Sequence, residues 1–97
     1  MKERREYTVK MTVNDHKISK VIIDPHYERR HSKAITDEII LELVKILNGN
    51  RFEPDSTDSH FQYFVSDGLW LNGKKYKLVW LLEKNEIYIG VVNAYRR

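Results

Sequence analysis

Residues 74–95, KKYKLVWLLEKNEIYIGVVNAY, constrain everything else in the chain. Two β-rich runs flank a polar EKNE turn, and neither alternates cleanly between apolar and polar. Along the first run Tyr76, Leu78, Trp80 and Leu82 share one face while Val79 and Leu81 take the other. Along the second, strict alternation puts Ile87, Ile89 and Val91 with Asn93 and Tyr95, and Tyr88, Val92 and Ala94 opposite. A strand that is apolar on both faces belongs inside a sheet. The hairpin is therefore expected at the sheet centre, delivering the polar and cationic group Asn93, Tyr95, Arg96 and Arg97 at its very end.

The 97-residue chain as a whole is enough for a single domain spanning 1–97, with one core. No run reaches the ~20 apolar residues of a membrane span, and the start, MKERREY, is charged with no apolar stretch behind it. A cytoplasmic protein without membrane partners is the expectation. The absence of cysteine excludes disulfides and thiolate catalysis. Seventeen basic against 14 acidic residues leave a mild lean toward polyanions.

Working outward, YTVKMTV (7–13) and KISKVIID (17–24) read as strands around an Asn14-Asp15-His16 turn. Asp24 is placed to cap a short polar helix, PHYERRHS, with Pro25 at its first position. Thr36 caps a second helix whose Ile35, Ile39, Ile40, Leu43, Val44 and Leu47 recur at helical spacing, and Gly49 is suited to end it. After an acidic loop, HFQYFV (60–65) reads as a strand, Ser66-Asp67-Gly68 as a turn, and GLWL as a short strand. Asn72-Gly73 then opens the central hairpin. The expected fold is α+β, with element order β-β-α-α-β-β-β-β. In it two N-terminal helices pack on one face of a twisted, mainly antiparallel sheet. Trp70 and Trp80 are read as core and cover, His16 and His60 as structural or exposed, and 83–86 as a solvated turn.

Chemistry concentrates in the first helix. His26 and His31 stand five residues apart, about 140° round an α-helix, so they cannot chelate a metal as an i, i+4 pair would. With no cysteine and no carboxylate at ligand spacing, neither a metal nor a cofactor is expected. Imidazoles interleaved with Arg29 and Arg30 suit metal-independent phosphodiester chemistry, in which His moves protons and Arg binds phosphoryl charge. The same pattern also fits a solvated polar face. Likewise, Tyr95-Arg96-Arg97 fits either a site element or a basic tail.

In IDPHYERRHS leading to AITDEIILELV, in the polar loop before FQYFV, and in YKLVWLLEKNEIYIGVVNAYRR, the chain resembles BrnT-type and RelE-like small toxins of the barnase–EndoU–colicin–RelE ribonuclease superfamily. That resemblance implies an endoribonuclease cleaving RNA by attack of the 2′-OH on the adjacent phosphate, neutralised by a cognate antitoxin or immunity protein. By position, it implies His31 as acid and base and Arg96 as a phosphate ligand, and the helix residues themselves offer His26 as a second proton-transfer group. Tyr95 and Asn93 would orient the scissile group; the charge pattern of the chain itself adds Arg29, Arg30 and Arg97 as candidates to bind RNA. Basic residues that many of these toxins carry on middle strands have Lys75 or Lys77 as candidates. The alternative is a non-catalytic module that binds RNA or protein with the same architecture.

Overall fold

A six-stranded sheet organises the computed structural model, which describes residues 4–25 and 35–97. Its strands are β1 (Arg5–Val13), β2 (His16–Ile23), β3 (Ser56–Thr57), β4 (Phe61–Leu71), β5 (Lys74–Glu83) and β6 (Tyr88–Arg96), with helix α1 (Asp37–Ile46) between β2 and β3. In space they run β1-β2-β6-β5-β4-β3. The hairpin β5–β6 does occupy the centre. Four of its neighbour pairings are antiparallel, but β2 lies parallel to β6, Val21 beside Ile89 and Ile23 beside Val91.

This corrects the expected architecture. Strands take up more than half of the described residues, and among them α1 is the helix of any length. The described residues form a mixed sheet carrying one helix, not two N-terminal helices on a mainly antiparallel sheet. Of the PHYERRHS segment (25–32) expected to form the first helix, the residues after Pro25 lie outside the described residues. The strand arrangement after α1 also differs. Ser66-Asp67-Gly68 is not a turn but a bulge inside one long strand, with Gly68 at φ +72, a left-handed conformation that suits glycine. The missing strand is supplied instead by Ser56–Thr57, paired to Gln62 and Tyr63.

Local chemistry explains the elements that match their reading. Asn72 and Gly73 both take positive φ, 52° and 76°, as a two-residue hairpin turn of the primed type requires. Thr36 is extended and its hydroxyl accepts from the Ile39 amide at 3.2 Å, capping α1. Gly49 ends that helix region at φ +80. Its amide donates to the Thr12 carbonyl at 2.6 Å, and the Asn14 amide donates to Asn50 O at 3.0 Å. The 48–50 turn thus covers the outer end of edge strand β1.

One face of the sheet carries the core. Ile40, Leu43 and Val44 from α1, with Leu47 at its C-cap, bury against Phe64, Leu78, Trp80, Ile89 and Val91. Trp80 stacks on Phe64 with ring centroids 4.1 Å apart and meets Phe52 edge-on at 5.5 Å. The start of α1 is tied to β1 by Asp37, which accepts from Arg5 Nε at 2.5 Å and its second guanidinium nitrogen at 2.9 Å, and from the Tyr7 hydroxyl. That carboxylate also sits favourably at the helix N-terminus. None of the described helices is long and apolar enough to cross a membrane.

Candidate nucleic-acid interface

The opposite face of the sheet determines what the protein presents. Side chains of directly paired residues share a face, so the ladder registers fix its rows. Lys20, Tyr88, Glu83 and Phe61 form one row across four strands, and Ile22, Gly90, Leu81 and Tyr63 the next. Asn93, Val79 and Val65 follow, then Tyr95 with Lys77, and finally Arg97, Lys75 and Trp70 near the end of β6. From row Glu83 to row Lys75 the face runs about 26 Å at ~3.3 Å per residue.

A bulge gives β6 this arrangement. Val79 pairs with Asn93 while Trp80 pairs with Val91, leaving Val92 as the extra residue. Ile89, Val91 and Ala94 therefore point into the core, whereas Tyr88, Asn93 and Tyr95 turn outward. Simple alternation had grouped Asn93 and Tyr95 with Ile89 and Val91, and the extra residue reverses that grouping.

At the cationic end, the Asn93 side-chain amide donates to the Tyr95 hydroxyl at 2.9 Å, while its carbonyl accepts from the Ala94 amide at 2.9 Å. Lys77 Nζ lies 5.9 Å from the Tyr95 ring centroid, and Lys75 Nζ lies 5.0 Å from that of Trp70. Arg97 pairs with Asp67 at 3.2 Å, both side chains about half exposed. Trp70 is 58% exposed, so it is surface and not core, while Trp80 is fully buried.

At the other end, Tyr88 donates to Glu83 at 2.5 Å, and burial with that carboxylate pushes its phenol up to about 12. Glu83 is thus more than a turn residue. Phe61 and Tyr63 stand side by side at 6.0 Å. Asp58 fixes the entry to β4 by accepting from the His60 and Phe61 amides at 2.9 and 2.8 Å, which holds its carboxyl below the usual range. Partial burial, then Asp58, raises Tyr63. His16 and His60 are both exposed and line a groove beside this end, together with Asp58 and Lys84. No cluster of three metal-ligating side chains occurs among the described residues.

Of the residues expected to form the site, Asn93 and Tyr95 come together on the open face, with Arg97 one row beyond. Arg96 does not join them: it pairs with buried Tyr76 and so projects from the other side of β6. His26, Arg29, Arg30 and His31 lie outside the described residues. The residues missed by sequence reasoning are Trp70, Tyr88 and Glu83. For Trp70 the signal was Asp67-Gly68, which reads equally as a bulge and re-aims the next side chains.

No protein-family model, curated protein or solved structure matches the chain.

Proposed function

We propose that the open face binds single-stranded RNA. The observation that supports this most is the row order itself: Phe61, Tyr63, Tyr88, Tyr95 and Trp70 share one sheet face, and lysines lie over the last two. Unstacked bases gain ~1–3 kcal/mol each on such rings, and sheets that splay single strands across aromatic side chains use the same physics. Lys75, Lys77 and Arg97 then serve the phosphates at the end of β6. A double helix offers no comparable fit, since its bases are already stacked.

The catalytic form of this reading is an endoribonuclease of the toxin type. His31 and His26 would exchange protons while the 2′-OH attacks the adjacent phosphate, and Tyr95 with Asn93 would orient the group. Phosphate charge on the open face falls to Lys77 and Arg97, given the direction of Arg96. An antitoxin or immunity protein would act by covering the same face.

The test is fluorescence anisotropy with labelled single-stranded RNA, followed by analysis of the RNA ends. Binding that weakens tenfold or more in Trp70→Ala supports the platform; unchanged binding in Trp70→Ala and Tyr63→Ala rejects it. A cyclic-phosphate product that disappears in His31→Ala identifies the enzyme. Intact RNA after long incubation identifies the binder.

A further inference from the structure

We infer that Asn72–Gly73 is a self-modification site, where the folded chain converts its own asparagine amide to aspartate and isoaspartate. In this reaction the backbone nitrogen of the following residue attacks the asparagine side-chain carbonyl carbon. A side chain on that following residue obstructs the approach, so glycine favours it. Glycine follows asparagine at two places in the sequence, Asn48–Gly49 and Asn72–Gly73. The structure separates them. At the first, the Gly49 amide donates to the Thr12 carbonyl at 2.6 Å, and Asn48 Oδ1 accepts from the Thr12 amide at 2.9 Å. Both reacting groups are thus held on edge strand β1, and attack requires the 48–50 turn to open first. Asn72 and Gly73 instead form the exposed tip of the β4–β5 hairpin. The ladder closes beneath them at Leu71 and Lys74, and neither the Asn72 side chain nor the Gly73 amide has a hydrogen-bond partner among the described residues. Exposed turn tips of this kind are where a chain moves locally at least cost.

The step balances with water alone. The Gly73 nitrogen gives up its proton and bonds to Asn72 Cγ, the side-chain amide leaves as ammonia, and a succinimide ring closes. Water then breaks one of the two ring C–N bonds. Cleavage at Cγ gives aspartate. Cleavage at the Asn72 backbone carbonyl gives isoaspartate, in which the chain runs on through the former side chain. Either product adds a carboxylate beside Lys74 and Lys75, in a chain whose net charge is only +3. Isoaspartate also lengthens a two-residue loop whose size sets the pairing of Trp70 with Lys75. On the RNA-binding reading, the modification weakens the cationic end of the open face with time. The modification itself does not depend on that reading.

The experiment keeps the folded full chain in mildly alkaline buffer and sequences its tryptic peptides 46–51 and 52–74 by mass spectrometry over time. Asn72 is expected to convert about tenfold faster than Asn48, because only the second must first leave β1. In concentrated urea, where Thr12 holds neither group, the two rates should come within about threefold of each other. Cation exchange of the folded protein should show an acidic species that grows in the parent chain and not in Asn72→Gly. That variant keeps the turn, since glycine accepts the positive φ of 52° at this position. Conversion of Asn48 as fast as Asn72 in the folded chain overturns the inference. So does an Asn72 that stays intact when folded, and so does an acidic species that grows equally in Asn72→Gly. The peptide comparison needs the parent chain alone and decides the matter even should the variant fold poorly.

Discussion

The indole N–H of Trp80 donates to Ser66 Oγ at 3.0 Å, between two strands and beneath the helix-covered core. Trp80 is fully buried and Ser66 nearly so, which makes Ser66 the one polar residue placed among the buried described side chains. Water cannot replace the hydroxyl there. Ser66→Ala is expected to leave a buried donor unpaired and to cost about 1–3 kcal/mol. Urea unfolding should show a lower midpoint with unchanged slope. An unchanged midpoint would mean that the indole finds another acceptor.

That bond also shows where sequence reading succeeds and where it stops. Local signals carried through: Asn72-Gly73, Thr36 and Gly49 act through their own backbone and near neighbours, so their chemistry is visible in a few letters. The placement of β5 and β6 in the sheet centre was legible as well, because burial leaves an apolar record on both faces. The parallel pairing of β2 with β6 was not, since residues 20–23 meet 88–91 without a turn between them. Bulges were equally hidden. A single extra residue at Val92 reverses the facing of Asn93 and Tyr95, and the one at Asp67-Gly68 turns an apparent turn into a continuous strand. The open face depends on both bulges, so its composition could be read only once the registers were known.

Asp37 joins β1 to α1, and the link should be measurable. Its side chain is 14% exposed and accepts from Arg5 and Tyr7. Hydrogen bonds to a charged partner contribute more than neutral ones, so Asp37→Ala should cost about 2 kcal/mol and Tyr7→Phe about 1 kcal/mol. Because the residues share one network, the double variant should lose less than the sum. Additive losses in denaturant unfolding would show that the tyrosine acts independently.

Tyr88 predicts an alkaline limit. Its phenol is raised from 10.0 to about 12 by burial and by Glu83. Above pH 10 the unfolded chain releases this proton while the folded chain retains it, so the unfolded state binds fewer protons. Stability from this group is complete below pH 10 and declines as pH rises towards 12. The loss between these values should be smaller in Tyr88→Phe than in the parent chain. Phenolate absorbance at 295 nm should show late-titrating tyrosines, and the Tyr88 contribution should be missing from the variant while those of Tyr7 and Tyr63, also raised, remain. Parallel pH profiles for the two proteins would remove the assignment.

The lysines at the start of β5, beside the end of β6, separate a local phosphate site from a general attraction to polyanions. Net charge is only +3, so diffuse electrostatics is weak, and specific contacts should dominate the salt dependence. For single strands each neutralised phosphate contributes about 0.7 to the slope of log affinity against log salt. Lys75→Ala and Lys77→Ala should each reduce that slope by about this amount. Trp70→Ala should weaken binding at every salt concentration while leaving the slope intact, because stacking releases no counterions. Lys84→Ala, in the turn at the opposite end of β5, supplies the control and should change neither quantity. If it lowers the slope as much as Lys77→Ala does, the interaction is set by overall charge, and the row of rings and lysines along β4, β5 and β6 is not the RNA path.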